Sequence, residues 1–448
     1  MKKRKKLTTP CTMAALLMAC AVAGLTSCNQ SELLLAENVD EAVESVHSEK
    51  YSSALRMASE AVEMLGAEGQ TRSGQPRQVD EGATKYIVDY PVTRAEGEAD
   101  TLMYVFNYTD DAGFAVISAV GEQPELVAVT EEGHFSSLDE VENTGFRMFM
   151  DASLCYVDSL RRSGSAVTRG GGQTGPEFIE LDSIVVDTTI VQRTPLLSVR
   201  WGQREPFNSE CPYDNGSQCP AGCVAIALAQ ILSYFEYPTS WTLLYASGIP
   251  TITVDWDVLK GYSSCSSCTS TTFCSTHAPL AKVIRQIGLS ALTSYHASHS
   301  SSDLYKALIA LNLWGFSTDA IDDYTYSYVR NSLWSDRPVL MGGKRIYTNA
   351  SGKEETSNHA WVVDGFKEIT YTYHEYTKPI NMLSWTYQGS HSSSFRYNHI
   401  NWGWKGDSNG YFSAGVFNTT RGAYDSGCSN VATCNYTQDL KIITNIRR

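Results

Sequence analysis

"CPAGCVAIALAQILSYFEYP", Cys219 to Pro238, decides how the chain is read. Val224, Leu228, Ile231 and Phe235 recur at helical spacing, and Ala225, Ala227 and Ala229 keep the other faces slim. This is the pattern of a helix buried in a core. It opens on Cys223, directly after Pro220, Ala221 and Gly222. The first turn of a helix presents free N–H groups and the positive end of its dipole. A thiol placed there is biased toward thiolate, the reactive form. Taken alone, such a cysteine is more often an inert core residue.

A thiolate needs a base. His359 lies in "NHAWVVDGF", Asn358 to Phe366, a strand pattern ending in Asp-Gly. It follows Cys223 at a separation similar to that in papain-type thiol proteases. His399 in "RYNHINWGW" is the competing base. Asn401 and Trp402 stand together just after it. An amide bonded to an imidazole fixes the ring, and an indole over that bond keeps water away, so Cys-His-Asn is a workable triad.

With 448 residues there is chain enough for two or three cored domains, and 42% hydrophobic with 19% charged residues is globular composition. The net charge of −14 leaves no basic footprint for nucleic acid. Lys2 to Lys6 followed by the apolar run Thr12 to Gly24 has the order of an export signal, too short for a membrane span. "LTSC", Leu25 to Cys28, resembles a bacterial lipobox, so Cys28 is the expected lipid-bearing N-terminus of an exported protein.

The front half reads as a helical stretch to about residue 70, then short strands in "KYIVDYPV", "LMYVFNY" and "GFAVISAV". A helix is expected over Ser136 to Arg162, with Ser137 and Glu140 as a capping box. "SGSAVTRGGGQTGPEF", Ser163 to Phe178, is the best linker and an exposed cleavage region around Arg169. The expected divisions are therefore 1–27, 28–169 and 170–448. In the last of these, helices are followed by an aromatic-rich strand region, which gives an α+β fold.

Four blocks, "WGQREPFN" (Trp201–Asn208), "AGCVAIALAQILSYFEYP", "NHAWVVDGF" and "HINWGWKGDSNGYF", resemble the streptopain family of bacterial cysteine proteases in kind, order and spacing. "YVFNYTDDAGFAVISAVGEQPELVAVTEEGHF", Tyr104 to Phe135, resembles the inhibitory prodomain of those enzymes. The resemblance implies a papain-like catalytic domain behind an α+β prodomain, made as a zymogen and acting on protein or peptide substrates without a cofactor. Carried over by position, Cys223 is the nucleophile and His359 the base. Asn401 orients the imidazole, Trp402 shields that contact, and Gln203 donates to the oxyanion. Two departures stand out: Ala221 where the family commonly has Thr or another residue, and Lys405-Gly406 where it commonly has Gly-Gly.

Cys265, Cys268, Cys274 and His277 crowd one Ser/Thr-rich stretch. An exported protein oxidises such cysteines more often than it loads them with zinc, so a disulfide-stapled surface loop is the favoured reading. Cys211 with Cys219, and Cys428 with Cys434, are further candidate pairs. Two rivals to the hydrolase reading use the same fold: a Cys-His acyltransferase or amidase, and a non-catalytic surface binding lipoprotein.

Overall fold

In the computed structural model the described residues are 49–68, 76–88, 101–120, 124–164, 180–243, 250–262, 270–348, 353–379, 384–417 and 439–448. The chain divides into residues 1–49 and 50–448, and the architecture below belongs to the second unit. The export signal, Cys28, the linker around Arg169, Cys265, Cys268, Cys428 and Cys434 lie outside the described residues.

Four antiparallel strands form the front half: Lys85–Val88, Thr101–Asn107, Phe114–Ser118 and Glu125–Thr130. Alternate side chains serve two cores. Met103, Val105 and Val116 face one side with Phe146 and Phe149 of the helix Thr144–Gly164. Tyr104, Phe106 and Ile117 face the other, with Ala54, Ala58 and Ala61 of a helix over 50–61. Burial on both faces explains why these strands read as near-continuous apolar runs. The expected capping box does not form. Leu138–Glu140 is a single 3-10 turn in which the Ser137 side chain caps nothing. The helix starts later, where Asn143 Oδ1 accepts the N–H of Phe146 at 3.1 Å.

The halves share one 11-stranded sheet. Glu125–Thr130 pairs with Gly410–Ser413, with Thr130 opposite Gly410 and Ala128 opposite Phe412. From there the order runs through Thr386–Asn401, Glu354–Pro379, Val339–Thr348 and Lys441–Ile443 to Asp322–Asp323. On one face lies the helix Cys223–Phe235, every residue from Val224 to Ser233 buried. It packs with Leu280, Ile284 and Ile287 of the helix Ser270–Ser290 and with Leu340 and Val362 of the sheet. A helix buried on every side has no face for solvent, which fits its central place. Helices first and antiparallel sheet after give the expected α+β arrangement.

The Cys-rich stretch is not a loop throughout, because its backbone is helical from Ser270 onward. Cys211 and Cys219 are buried free thiols rather than a bridge. Val339–Thr348 and Glu354–Pro379 pair antiparallel, in register from Val339 opposite Val363 to Thr348 opposite Glu354. Beyond Gly365, the strand Glu354–Pro379 continues between Thr386–Asn401 and Glu180–Arg193 as a three-stranded arm. Among the described residues no helix is long and apolar enough to cross a membrane.

Candidate active site

Cys223 is the first residue of its helix. Gly222 before it has φ 93°, a left-handed conformation that favours glycine, and this turns the chain sharply into the helix. The thiol is free. Burial pushes it above its ordinary value, while backbone N–H groups of Ala360, Val224 and Cys223 itself pull it back. Cys223 and His359 line one cavity of about 890 Å³, together with Ser302, Leu304, Gly342 and Ala360.

His359 stands on the strand Glu354–Pro379, opposite Gly343. Its Nε2 lies 2.9 Å from the Trp402 carbonyl oxygen. A carbonyl only accepts, so Nε2 carries the proton, and in the neutral ring Nδ1 keeps a lone pair. The ring is buried, stacked on Trp361 at 6.0 Å and tilted against Trp404 at 6.5 Å. That burial lowers its pKa to about 4, with the Trp402 carbonyl acting in the opposite direction. Burial thus favours the uncharged forms of thiol and imidazole together.

Part of that burial comes from the front half. A Cβ placed on Gly145 would lie 2.5 Å from Cδ2 of His359 and 2.4 Å from Cε3 of Trp402, so the start of the helix Thr144–Gly164 is pressed onto both rings. Asn143, just before it, also donates through Nδ2 to the Asp407 carbonyl at 3.1 Å.

Asn401 is placed differently from expectation. Its Nδ2 donates to the Val199 carbonyl at 2.8 Å and its Oδ1 accepts the Gly403 N–H at 3.1 Å. The side chain therefore fixes the backbone that carries the Trp402 carbonyl, and it is that carbonyl which bonds the imidazole. Trp402 is buried, with Nε1 donating to the Ser408 carbonyl at 3.0 Å. The indoles in ring contact with His359 are Trp361 and Trp404.

Gln203 sits beside the helix start, because its carbonyl accepts the N–H of Ala221 at 2.7 Å. Neighbouring Gly202 bridges Trp404. Lys405 lies across Gly202, its Cγ 2.7 Å from where a Cβ would stand. Burial lowers the pKa of this lysine and Glu205 acts against that. Lys405 is not among the residues lining the cavity.

His399, the competing base, is engaged elsewhere. Its Nδ1 is 2.7 Å from Asp364 and its Nε2 is 3.0 Å from Glu131 of the front half. Despite burial, these two carboxylates raise its pKa to about 10. Arg200 bridges the same Glu131 at 3.0 Å and also pairs with Glu132. The clasp ties the halves together, as does Lys367 Nζ donating to the Met64 carbonyl at 2.7 Å. Sequence reading missed both Gly145 and Glu131, since a glycine near a helix start and a glutamate in an acidic chain carry no signal of a distant partner.

Among the described residues no group of three or more His, Cys, Asp or Glu side chains is arranged to hold a metal.

Comparison with known proteins follows the same two halves. The Peptidase C10 family matches residues 201–412, and the Spi protease inhibitor family matches residues 39–154. The thiol protease/hemagglutinin PrtT of Porphyromonas gingivalis is 24% identical over 377 residues, 76% of this chain. This chain spans only 37% of PrtT's length. Streptopain of Streptococcus pyogenes is 22% identical over 347 residues, 70% of this chain and 74% of that protein. Among solved structures, prointerpain A of Prevotella intermedia aligns with TM-score 0.49 and 19% identity, over 82% of this chain and 98% of its own. Active interpain A of the same organism aligns with TM-score 0.36 and 21% identity, over 56% of this chain and 94% of its own.

Proposed function

The chain belongs to the peptidase C10 family of cysteine-type endopeptidases, and from that premise we propose that it is a zymogen whose front half holds the Cys223–His359 pair uncharged. One observation carries this reading. A free thiol at a helix start and a neutral imidazole line the same cavity, and a segment like a protease inhibitor abuts the imidazole.

In the released enzyme the Cys223 thiolate attacks a peptide carbonyl. The resulting oxyanion rests on the Gln203 amide and the Cys223 N–H. His359 protonates the leaving amine, and water, deprotonated by His359, then hydrolyses the thioester. Asn401 acts one step back by fixing the Trp402 carbonyl, which sets the ring's tautomer. Trp402 and Trp404 help exclude water.

Latency needs no plug in the cavity. Among the described residues no front-half residue lines it, and the front half acts instead through Gly145, against the rings of His359 and Trp402. Cutting within 163–177, near Arg169, would free the clasp and rehydrate His359. The basic-then-apolar leader and Cys28 support export and lipid anchoring of the precursor. Substrates are proteins or peptides, and the chain's own front half, 28–169, is its inhibitor.

Incubation with casein tests the reading. The wild type, after processing, should cut casein and the Cys223→Ala chain should not. If the wild type leaves casein whole while transferring an acyl group to an added amine, the acyltransferase alternative holds instead.

A further inference from the structure

The three-stranded arm takes no part in the chemistry above, and nothing in that function requires it. Its outer strand, Glu180–Arg193, pairs with Glu354–Pro379 from Arg193 opposite Phe366 to Glu180 opposite Pro379. The other edge of this strand pairs with no strand among the described residues. Edge strands are ordinarily protected by lysine, proline or a bulge. Between Glu180 and Arg193 there is neither lysine nor proline. Val185, Val186 and Ile190 are instead 49%, 47% and 56% exposed.

We propose that two copies of the chain join through this edge, strand against antiparallel strand, about a two-fold axis at Thr188. Such an axis stands perpendicular to the sheet, so residues facing each other must share a face and the axis must fall on a residue. Placed on Thr188, it sets Val186 opposite Ile190 of the second copy, Val185 opposite Val191 and Asp187 opposite Thr189. Placed on Asp187, it would oppose two carboxylates, which is destabilising. Placed on Val186 or Thr189, it would set Asp187 against Val185 or Val191. Of these four registers, only the one on Thr188 matches apolar with apolar and gives each Asp187 a hydroxyl.

The rungs behind the edge support the same register. Ile190 is opposite Ile369, which is opposite Phe395. Val186 is opposite Tyr373, which is opposite His391, and those two rings stack at 4.9 Å. Joining the edges at Thr188 therefore runs one rung of aliphatic and aromatic side chains across six strands: Phe395, Ile369 and Ile190 of one copy, then Val186, Tyr373 and His391 of the other. The two-fold repeats it on the other side of the axis. On the opposite face Thr372 and Asp187 continue into Thr189 and Thr370 of the second copy. Self-complementarity of this kind favours a second copy over an unrelated extended peptide.

The test uses the full-length Cys223→Ala chain, which cannot process itself. Sedimentation velocity over a wide range of concentration should give a reversible monomer–dimer equilibrium. Adding Val186→Lys and Ile190→Lys should weaken it at least tenfold with an unchanged thermal melt. Register is read by cross-linking under oxidised glutathione. Thr188→Cys should yield a dimer whose linked peptides both span residue 188, and Asp187→Cys should not link to itself. A monomer at every concentration overturns the proposal. So does a dimer untouched by the two lysines, or self-linking at 187 in place of 188.

Discussion

Gly145 of the front half and His359 of the peptidase half are in direct contact, with no room between them for a methyl group. Gly145→Ala should therefore loosen the start of the helix Thr144–Gly164 from the ring. Rings as buried as His359 and Trp402 have little freedom to move aside. The expected outcome is faster alkylation of Cys223 in the intact, unprocessed chain, about tenfold if the docking loses roughly 1.4 kcal/mol. An unchanged alkylation rate would show that this contact does not hold the pair latent.

Gln203, the oxyanion donor in this proposal, does no bond-making, yet its loss should be costly. Gln203→Ala is expected to lower kcat/KM of the processed enzyme roughly 100- to 1,000-fold, the usual effect of removing one oxyanion donor. Its backbone carbonyl still holds Ala221, so the melting temperature should hardly move. Steady-state kinetics and calorimetry on the same variant check both parts.

Asn401→Ala should act on structure and rate together. It removes two buried hydrogen bonds, to the Val199 carbonyl and from the Gly403 N–H. A loss of roughly 1–3 kcal/mol of stability is expected, with a smaller fall in kcat than His359→Ala produces. A residue bonded to the imidazole itself would cut the rate without that loss of stability.

Two histidines give the zymogen a stability optimum in pH. His359 is lowered from 6.5 to about 4 in the folded chain, so the unfolded chain takes up the extra proton first and stability falls as pH drops from about 6.5 towards 4. His399 is raised from 6.5 to about 10, so its contribution is whole below about 6.5 and is lost as pH rises through about 10. Urea unfolding of the Cys223→Ala chain should therefore peak near neutral pH. The alkaline limb should flatten in Glu131→Gln, which removes one of the two carboxylates on His399. A stability that changes in one direction only, from acid to alkali, would contradict this.

The central helix was legible because its apolar residues surround it, and Cys223 because Pro-Ala-Gly marks the helix start. His359 was legible from a strand pattern followed by Asp-Gly. The role of Asn401 was not. Sequence gives its neighbourhood, but whether the side chain or the adjacent Trp402 carbonyl reaches the imidazole is settled by strand register and by a turn closed at Gly403. Likewise His399 shared the look of a catalytic base until Asp364 and Glu131 were seen on either side of it. Glu131 arrives through pairing of Glu125–Thr130 with Gly410–Ser413, a contact between strands far apart in the chain. The helix start at Thr144 was misplaced because Ser137 and Glu140 have capping spacing but lie on a 3-10 turn, whereas Asn143 supplies the bond. The arm's outer strand, Glu180–Arg193, was not legible, since every residue from Val185 to Ile190 is exposed and no buried face alternates with a polar one.

The most direct test compares carboxamidomethylation of Cys223, read by peptide mass, in the intact chain and after processing near Arg169, from mildly acidic to alkaline pH. Release of the front half should speed the reaction at neutral pH by tenfold or more, roughly the effect of one unit of thiol pKa, and His359→Ala should abolish the gain. Equal rates in the two forms across that range, or a gain that survives without His359, would contradict a latent thiol–imidazole pair.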